Sequence, residues 1–321
     1  MARQLAPDID PERFQTRWYE GRGFRQAFVH EGRGGVALLL IHGWPETKRL
    51  YWRVIQPLAA AGFEVIVPDL RGFGESEIGP DGLHDAPSSS RDLHALVTDG
   101  LGHDKIVVAG ADFGGVIAQD FSHRFPDLVD RMVIANCPLP YDREAMAGLR
   151  TRGAPETLDY YHRQGTDGDE LLAELSTPQR RRRYIAAFYT SRLWAHPGAF
   201  TSVTSGLGEY PDVEFHTEPF GDGPRLRASW GAYESRYNPG ARSEPVLMAR
   251  NDRQRALILY GPSDPVIAPD FDRMAATIFP NHVGPFLLRD CGHFVPWEAA
   301  HAFATATIAF CSDLLGARAS Q

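Results

Sequence analysis

The sequence predicts an α/β fold: a mostly parallel sheet covered by helices, with a helical insertion in its second half. Three observations carry this. Short apolar runs alternate with helical patterns from Phe24 to Ala135. The alternation stops over residues 139–250, where helical patterns and many Gly and Pro surround no buried strand run. It resumes at Ala256 and continues almost to the end of the chain. One core, residues 1–138 and 251–321, interrupted by a helical cap at 139–250, is the simplest account.

Each element has its own signal. Residues 24–30 read as a strand and 32–35 as a glycine turn. Val36-Ala37-Leu38-Leu39-Leu40-Ile41 is continuously apolar, as a strand buried on both faces requires. A helix at 52–61 and a strand at 63–67 follow, then a helix at 89–100 and a strand at 105–109. The next helix, 114–124, stops near Pro126, and 130–135 is again a strand. After the insertion come a strand at 256–260, a helix at 269–279, a strand at 286–288 and a last helix at 296–315. No internal repeat or low-complexity segment interrupts them.

Composition bounds the function. The chain has 321 residues, 43% hydrophobic and 23% charged, enough for a large core. A net charge of −8 argues against a nucleic-acid surface. The one basic cluster, Arg180-Arg181-Arg182-Arg183, reads as a solvated helix face. Cys137, Cys291 and Cys311 are odd in number and widely spaced, with neither a disulfide framework nor a metal pattern, which fits a reducing cytoplasm. No apolar stretch approaches the ~20 residues that span a bilayer. The first residues, Met1 to Asp8, lack the apolar core of a signal peptide. The expectation is a cytoplasmic protein with no nucleic-acid or membrane partner.

The most informative residue is Asp112. Gly110-Ala111-Asp112-Phe113-Gly114-Gly115 follows the strand run Ile106-Val107-Val108-Ala109 and precedes a helix. This is the strand, tight turn, helix pattern of a nucleophile elbow, with a carboxylate where most carry serine. A carboxylate is a weak acyl-transfer nucleophile, but it opens strained or activated carbon–oxygen and carbon–halogen bonds to leave an enzyme-bound ester. The competing reading is a chance aspartate capping the helix.

A nucleophilic carboxylate needs donors for developing charge, a base for water and a group to orient that base. The N–H groups of Phe113, after the nucleophile, and of Trp44, in His42-Gly43-Trp44-Pro45-Glu46 after a buried strand, are the candidate oxyanion donors. Pro45 reads as fixing that turn, a cis bond being one way to do so. His42 reads as structural. Asp264, in Gly261-Pro262-Ser263-Asp264-Pro265, is the candidate orienting acid; the rival slot at Asn136-Cys137-Pro138 holds no carboxylate. His293, in Asp290-Cys291-Gly292-His293-Phe294, is the candidate base. The chain order nucleophile, acid, histidine is that of an α/β-hydrolase triad.

These motifs, together with Asp69-Leu70-Arg71-Gly72-Phe73-Gly74-Glu75-Ser76, resemble the α/β-hydrolase fold epoxide hydrolases over essentially the whole core. The resemblance implies that cap tyrosines hydrogen-bond the epoxide oxygen. Eight of the eleven tyrosines lie in residues 139–250. Tyr233 and Tyr161 resemble the family's pair, with Tyr160 the alternative to Tyr161 and Trp230 a further pocket candidate. The chain departs from the family pattern at His162, where an aromatic is usual, and at Glu234, where arginine is usual.

The function implied is hydrolysis of a small-molecule epoxide to a vicinal diol, through an ester on Asp112 cleaved by water that His293 activates. No metal or organic cofactor is expected, and the sequence is silent on oligomeric state. The alternatives are a haloalkane or haloacid dehalogenase using the same three residues, and a non-catalytic ligand-binding member of the fold. A serine-type esterase is disfavoured because Asp112 supplies no alkoxide.

Overall fold

The computed structural model describes residues 9–155, 159–200 and 211–319. Eight strands form one sheet: β1 (Thr16–Gly21), β2 (Phe24–Glu31), β3 (Val36–Ile41), β4 (Phe63–Pro68), β5 (Ile106–Ala111), β6 (Val129–Ala135), β7 (Arg255–Tyr260) and β8 (His282–Leu287). Their order across the sheet is β1-β2-β4-β3-β5-β6-β7-β8. β1, β2 and β4 pair antiparallel, and every pair from β4–β3 to β7–β8 is parallel. The mostly parallel sheet expected from the apolar runs is present.

The helices of the first half are α1 (Trp52–Ala60), α2 (Ala86–Ala95) and α3 (Phe113–Arg124). Between β6 and β7 lie α4 (Asp159–Thr166), α5 (Gly168–Glu174), α6 (Pro178–Thr190), α7 (Pro211–Thr217), α8 (Gly223–Ser229) and α9 (Gly231–Tyr237), with no strand among the described residues. After β7 come α10 (Phe271–Ile278), α11 (Val295–Glu298), α12 (Ala300–Phe310) and α13 (Ser312–Ala319).

The structure differs from the sequence reading in four places. β1 was not expected, because its half-exposed Thr16-Arg17-Trp18-Tyr19-Glu20-Gly21 carries no apolar run. The helix expected at 89–100 starts earlier, where the Asp85 carboxylate caps it by accepting the Ser88 N–H at 3.0 Å, and ends in a π turn over Leu96–Gly100. β8 begins at His282 rather than 286; it is an edge strand, and Gly284 and Pro285 dilute its apolar signal. The last helix is broken at Ala299 and Cys311, whose backbone angles leave the helical region.

Registers set the loops that matter. Ile41 lies opposite Gly110, and Ala111 opposite Ala135. The ends of β3, β5 and β6 are therefore level, and the loops after them meet above the sheet edge. The loop after β4 locks onto the loop after β3: Lys48 Nζ donates to Asp69 Oδ2 at 2.6 Å, and Leu70 N–H to His42 Nε2 at 3.0 Å. Lys48 and Asp69 are both buried. Asp69→Ala should cost roughly 3–5 kcal/mol in urea unfolding, because it leaves a buried ammonium short of a partner. Replacing both residues with apolar side chains should recover only part of that loss, because Asp69 also accepts the Lys48 and Glu75 N–H groups.

Candidate active site

Asp112 links β5 to α3 at φ +49° and ψ −129°. A non-glycine residue there stores ~1–3 kcal/mol of backbone strain, which its surroundings must hold. The turn is tight enough to demand glycine on either side. A Cβ on Gly110 would meet Gly114 O at 2.2 Å, and one on Gly114 would meet Ile41 O at 2.1 Å. Although Asp112 occupies the N-cap position of α3, its side chain makes no capping bond. Its Oδ1 instead accepts the Trp44 N–H at 2.8 Å. The Phe113 N–H also favours the ionised carboxylate. Both donors anticipated for an oxyanion thus face this side chain. The Trp44–Pro45 bond is cis.

His293 is fully buried. Its Nδ1–H donates to Asp264 Oδ2 at 2.8 Å, and its Nε2 lies 3.5 Å from Asp112 Oδ2. The three residues read from separate strand ends therefore meet in one line. Burial alone would lower the His293 pKa, but the Asp264 carboxylate, then Asp112, raise it. Asp112 is raised by burial and held down by His293 and the two N–H groups. Together they favour an imidazolium between two carboxylates.

Two residues had no assigned role in the sequence. Glu46 is fully buried; its Oε2 accepts the Gly43 N–H at 2.6 Å and its Oε1 has no partner. Burial, then the Asp112 charge, pushes its pKa up. It therefore holds its proton and spares the cluster a third negative charge. The signal was its place in the turn that supplies Trp44. Asn136, at φ +30°, ties the strand ends together. Its carbonyl accepts the Asp112 N–H at 2.9 Å, its Nδ2 lies 3.1 Å from Asp264 Oδ2 and 2.9 Å from Gly292 O, and its Oδ1 accepts the Gly261 N–H at 2.9 Å. The slot that lacks a carboxylate holds an asparagine whose side-chain amide joins the Asp264 and His293 loops and whose main-chain carbonyl holds the Asp112 loop. His42 is neutral: burial lowers its pKa to about 4, its Nδ1–H donates to Gly43 O and its Nε2 accepts from Leu70.

The inserted helices bring aromatic rings to this point. Tyr160, on α4, stacks on Trp44 at 5.3 Å between ring centres and meets the Tyr233 ring of α9 at 5.6 Å. The hydroxyls of Tyr160 and Tyr233 interact, and burial followed by nearby charge and hydroxyl groups, Asp112 among them, raises both pKa values far above 10. Tyr161 follows Tyr160 on α4. It packs against Tyr233 and Tyr237, with the Arg236 guanidinium 5.2 Å from its ring centre. Successive helical residues point about 100° apart, so the two rings face different neighbours, and Tyr160 is the one stacked on Trp44. Trp230, the further pocket candidate, lies in the helix turn before Tyr233. It is fully buried beside Tyr184, and its carbonyl accepts the Tyr233 N–H at 2.9 Å, so it supports Tyr233 from behind. Trp194, not anticipated, sets its ring 4.6 Å from His293.

The family model for the alpha/beta hydrolase fold matches residues 36–300. The chain belongs to the alpha/beta hydrolase fold family. A soluble epoxide hydrolase of Corynebacterium is 42% identical over 112 residues, a stretch covering 35% of this chain and 38% of that protein. Haloalkane dehalogenase 2 of Mycobacterium tuberculosis is 28% identical over 96% of this chain and 99% of its own length. Among solved structures, the epoxide hydrolase CorEH superposes with a TM-score of 0.77 at 24% identity, covering 94% of this chain and 99% of that one. This alpha/beta hydrolase thus resembles an epoxide hydrolase over about a third of its sequence and a haloalkane dehalogenase over nearly all of it. No helix among the described residues is long and apolar enough to cross a membrane.

The raised carboxyl of Asp112 has a direct readout. Its C=O stretch, assigned by difference infrared spectroscopy against Asp112→Asn, should titrate with a midpoint above the ordinary 3.8. His293 lowers this pKa, so His293→Gln should move the midpoint higher still.

Proposed function

We propose that this protein is an epoxide hydrolase that forms a covalent ester on Asp112. The observation that carries the reading is a buried aspartate facing the Trp44 and Phe113 N–H groups, with the His293–Asp264 pair beside it and the interacting Tyr160–Tyr233 hydroxyls close enough to feel its charge. In this scheme an Asp112 oxygen attacks an epoxide carbon and the ring carbon–oxygen bond breaks. The leaving oxygen takes a proton from the tyrosine pair, in which Tyr160 replaces the expected Tyr161. Ester formation removes the Asp112 charge, one of the charges that hold the proton on His293. That proton replaces the one the tyrosines gave up. The neutral imidazole, oriented by Asp264, then takes a proton from water, whose oxygen attacks the ester carbonyl. The N–H groups of Trp44 and Phe113 stabilise the oxyanion; losing one such donor typically costs ~3 kcal/mol. Collapse breaks the ester carbon–oxygen bond, passes the remaining proton of the attacking water to the leaving alkoxide, returns the carboxylate and releases a vicinal diol.

The same reading takes residues 139–250 as a cap over the core formed by 1–138 and 251–321. It places the enzyme in the cytoplasm, which three buried free cysteines support. All these steps run on side chains and backbone alone.

A second reading, haloalkane dehalogenase, is favoured by the relative that matches nearly end to end. Halide release needs donors around the departing ion. Phe113 offers no side-chain donor, and the Trp44 indole N–H is given to Ser229 Oγ at 3.1 Å. The tyrosine hydroxyls suit an epoxide oxygen, which must gain a proton.

His293→Gln separates the two half-reactions. Epoxide treatment of this variant should leave a substrate adduct on the peptide that contains Asp112, while wild type turns over to diol. An unlabelled peptide in the variant, with diol formation intact in wild type, would overturn the scheme. A halide-release assay on chloroalkanes and fluoroacetate should give no signal above background.

A further inference from the structure

Outside the residues already assigned, the most connected ionisable group at the site is Glu298, the last residue of α11. Its Oε2 accepts the Gly292 N–H at 2.8 Å and the His196 N–H at 2.9 Å; its Oε1 accepts the Phe294 N–H at 2.9 Å. Gly292 and Phe294 bracket His293. The His293 N–H itself donates to Trp194 O at 2.8 Å. Three consecutive N–H groups of the histidine loop are therefore paired, two by one carboxylate and one by the inserted segment. Buried N–H groups demand such partners.

The same carboxylate reaches across to the insertion through His196. That segment touches the histidine loop in two further ways. Trp194 sets its ring edge-on to the imidazole. A Cβ on Gly292 would lie 2.4 Å from Trp194 O, so the two backbones are in direct contact. His196 Nδ1 also meets Ser263 Oγ at 3.1 Å, next to Asp264. α11 stops at Glu298, and α12 begins only after the break at Ala299.

We infer that Glu298 is a positioning residue that fastens the His293 loop to the Trp194–His196 segment of the insertion and so sets the imidazole for the hydrolytic half of the reaction. The inference rests on the epoxide hydrolase reading. Alkylation needs Asp112 and the tyrosines, none of which Glu298 touches. Ester hydrolysis needs His293 Nε2 at a set distance from water and ester, and a shift of the loop carries the ring with it. The insertion that supplies Tyr160 and Tyr233 is thereby tied to the base.

The experiment compares the two half-reactions by rapid quench in wild type, Glu298→Gln, Glu298→Ala and His293→Gln. In the Glu298 variants hydrolysis should slow by roughly 10²-fold and alkylation by no more than a few-fold, so the Asp112 adduct accumulates during turnover. A purely structural role would lower the melting temperature and slow both steps alike, or neither, and either result overturns the inference. If Glu298→Ala does not fold, Gly292→Ala disturbs the same contact from the other side and should give the same partition. Failure of the underlying reading is separate: His293→Gln would then trap no adduct on Asp112 at all. An adduct in His293→Gln with unchanged partition in the Glu298 variants sinks only the Glu298 role.

Discussion

The hydrogen bond from the Trp44 N–H to Asp112 Oδ1, made where β3 and β5 end side by side, is the contact on which the site depends. It holds a carboxylate charged in a place that favours the neutral acid. Burial raises the Asp112 pKa, and only the imidazolium and the two N–H groups oppose it. The backbone at φ +49° turns the side chain toward the end of β3, where the Trp44 N–H lies. Glu46, one turn away, cedes its charge to the same field. A second ionised carboxylate there would compete with Asp112 for His293.

The inserted helices secure this contact from two sides. Tyr189 on α6 donates its hydroxyl to Pro45 O at 2.6 Å, and Ser229 at the end of α8 takes the Trp44 indole N–H. Tyr160 covers the free face of that indole. The turn that presents the N–H is thus packed between core and insertion. Asn136 does the corresponding work below, where its main-chain carbonyl and side-chain amide together span the loops of Asp112, Asp264 and His293.

Residues whose meaning is local were legible in the sequence. The apolar runs of β3 and β5 allow no other element, and Gly110 and Gly114 around Asp112 mark a turn that a Cβ would block. Asp264 and His293 stand out because each lies in the loop that follows a strand, after β7 and β8. Residues whose meaning depends on packing were not legible. Tyr160 and Tyr161 are adjacent and chemically identical; only the position of Trp44 distinguishes them. Glu298 reads as an ordinary helix residue until three backbone N–H groups are seen to converge on it. β1 escaped because an edge strand half in water needs no apolar pattern.

The central claim is that the Asp112 carboxylate, and not water, attacks the substrate. A single turnover with enzyme in excess over epoxide in ¹⁸O-water tests it most directly. Attack by Asp112 sends the water oxygen into the carboxylate, so the peptide containing Asp112 should gain mass while the first diol released carries no label. Label in the first diol, with an unlabelled Asp112 peptide, would mean that water attacks the substrate directly and would contradict the account.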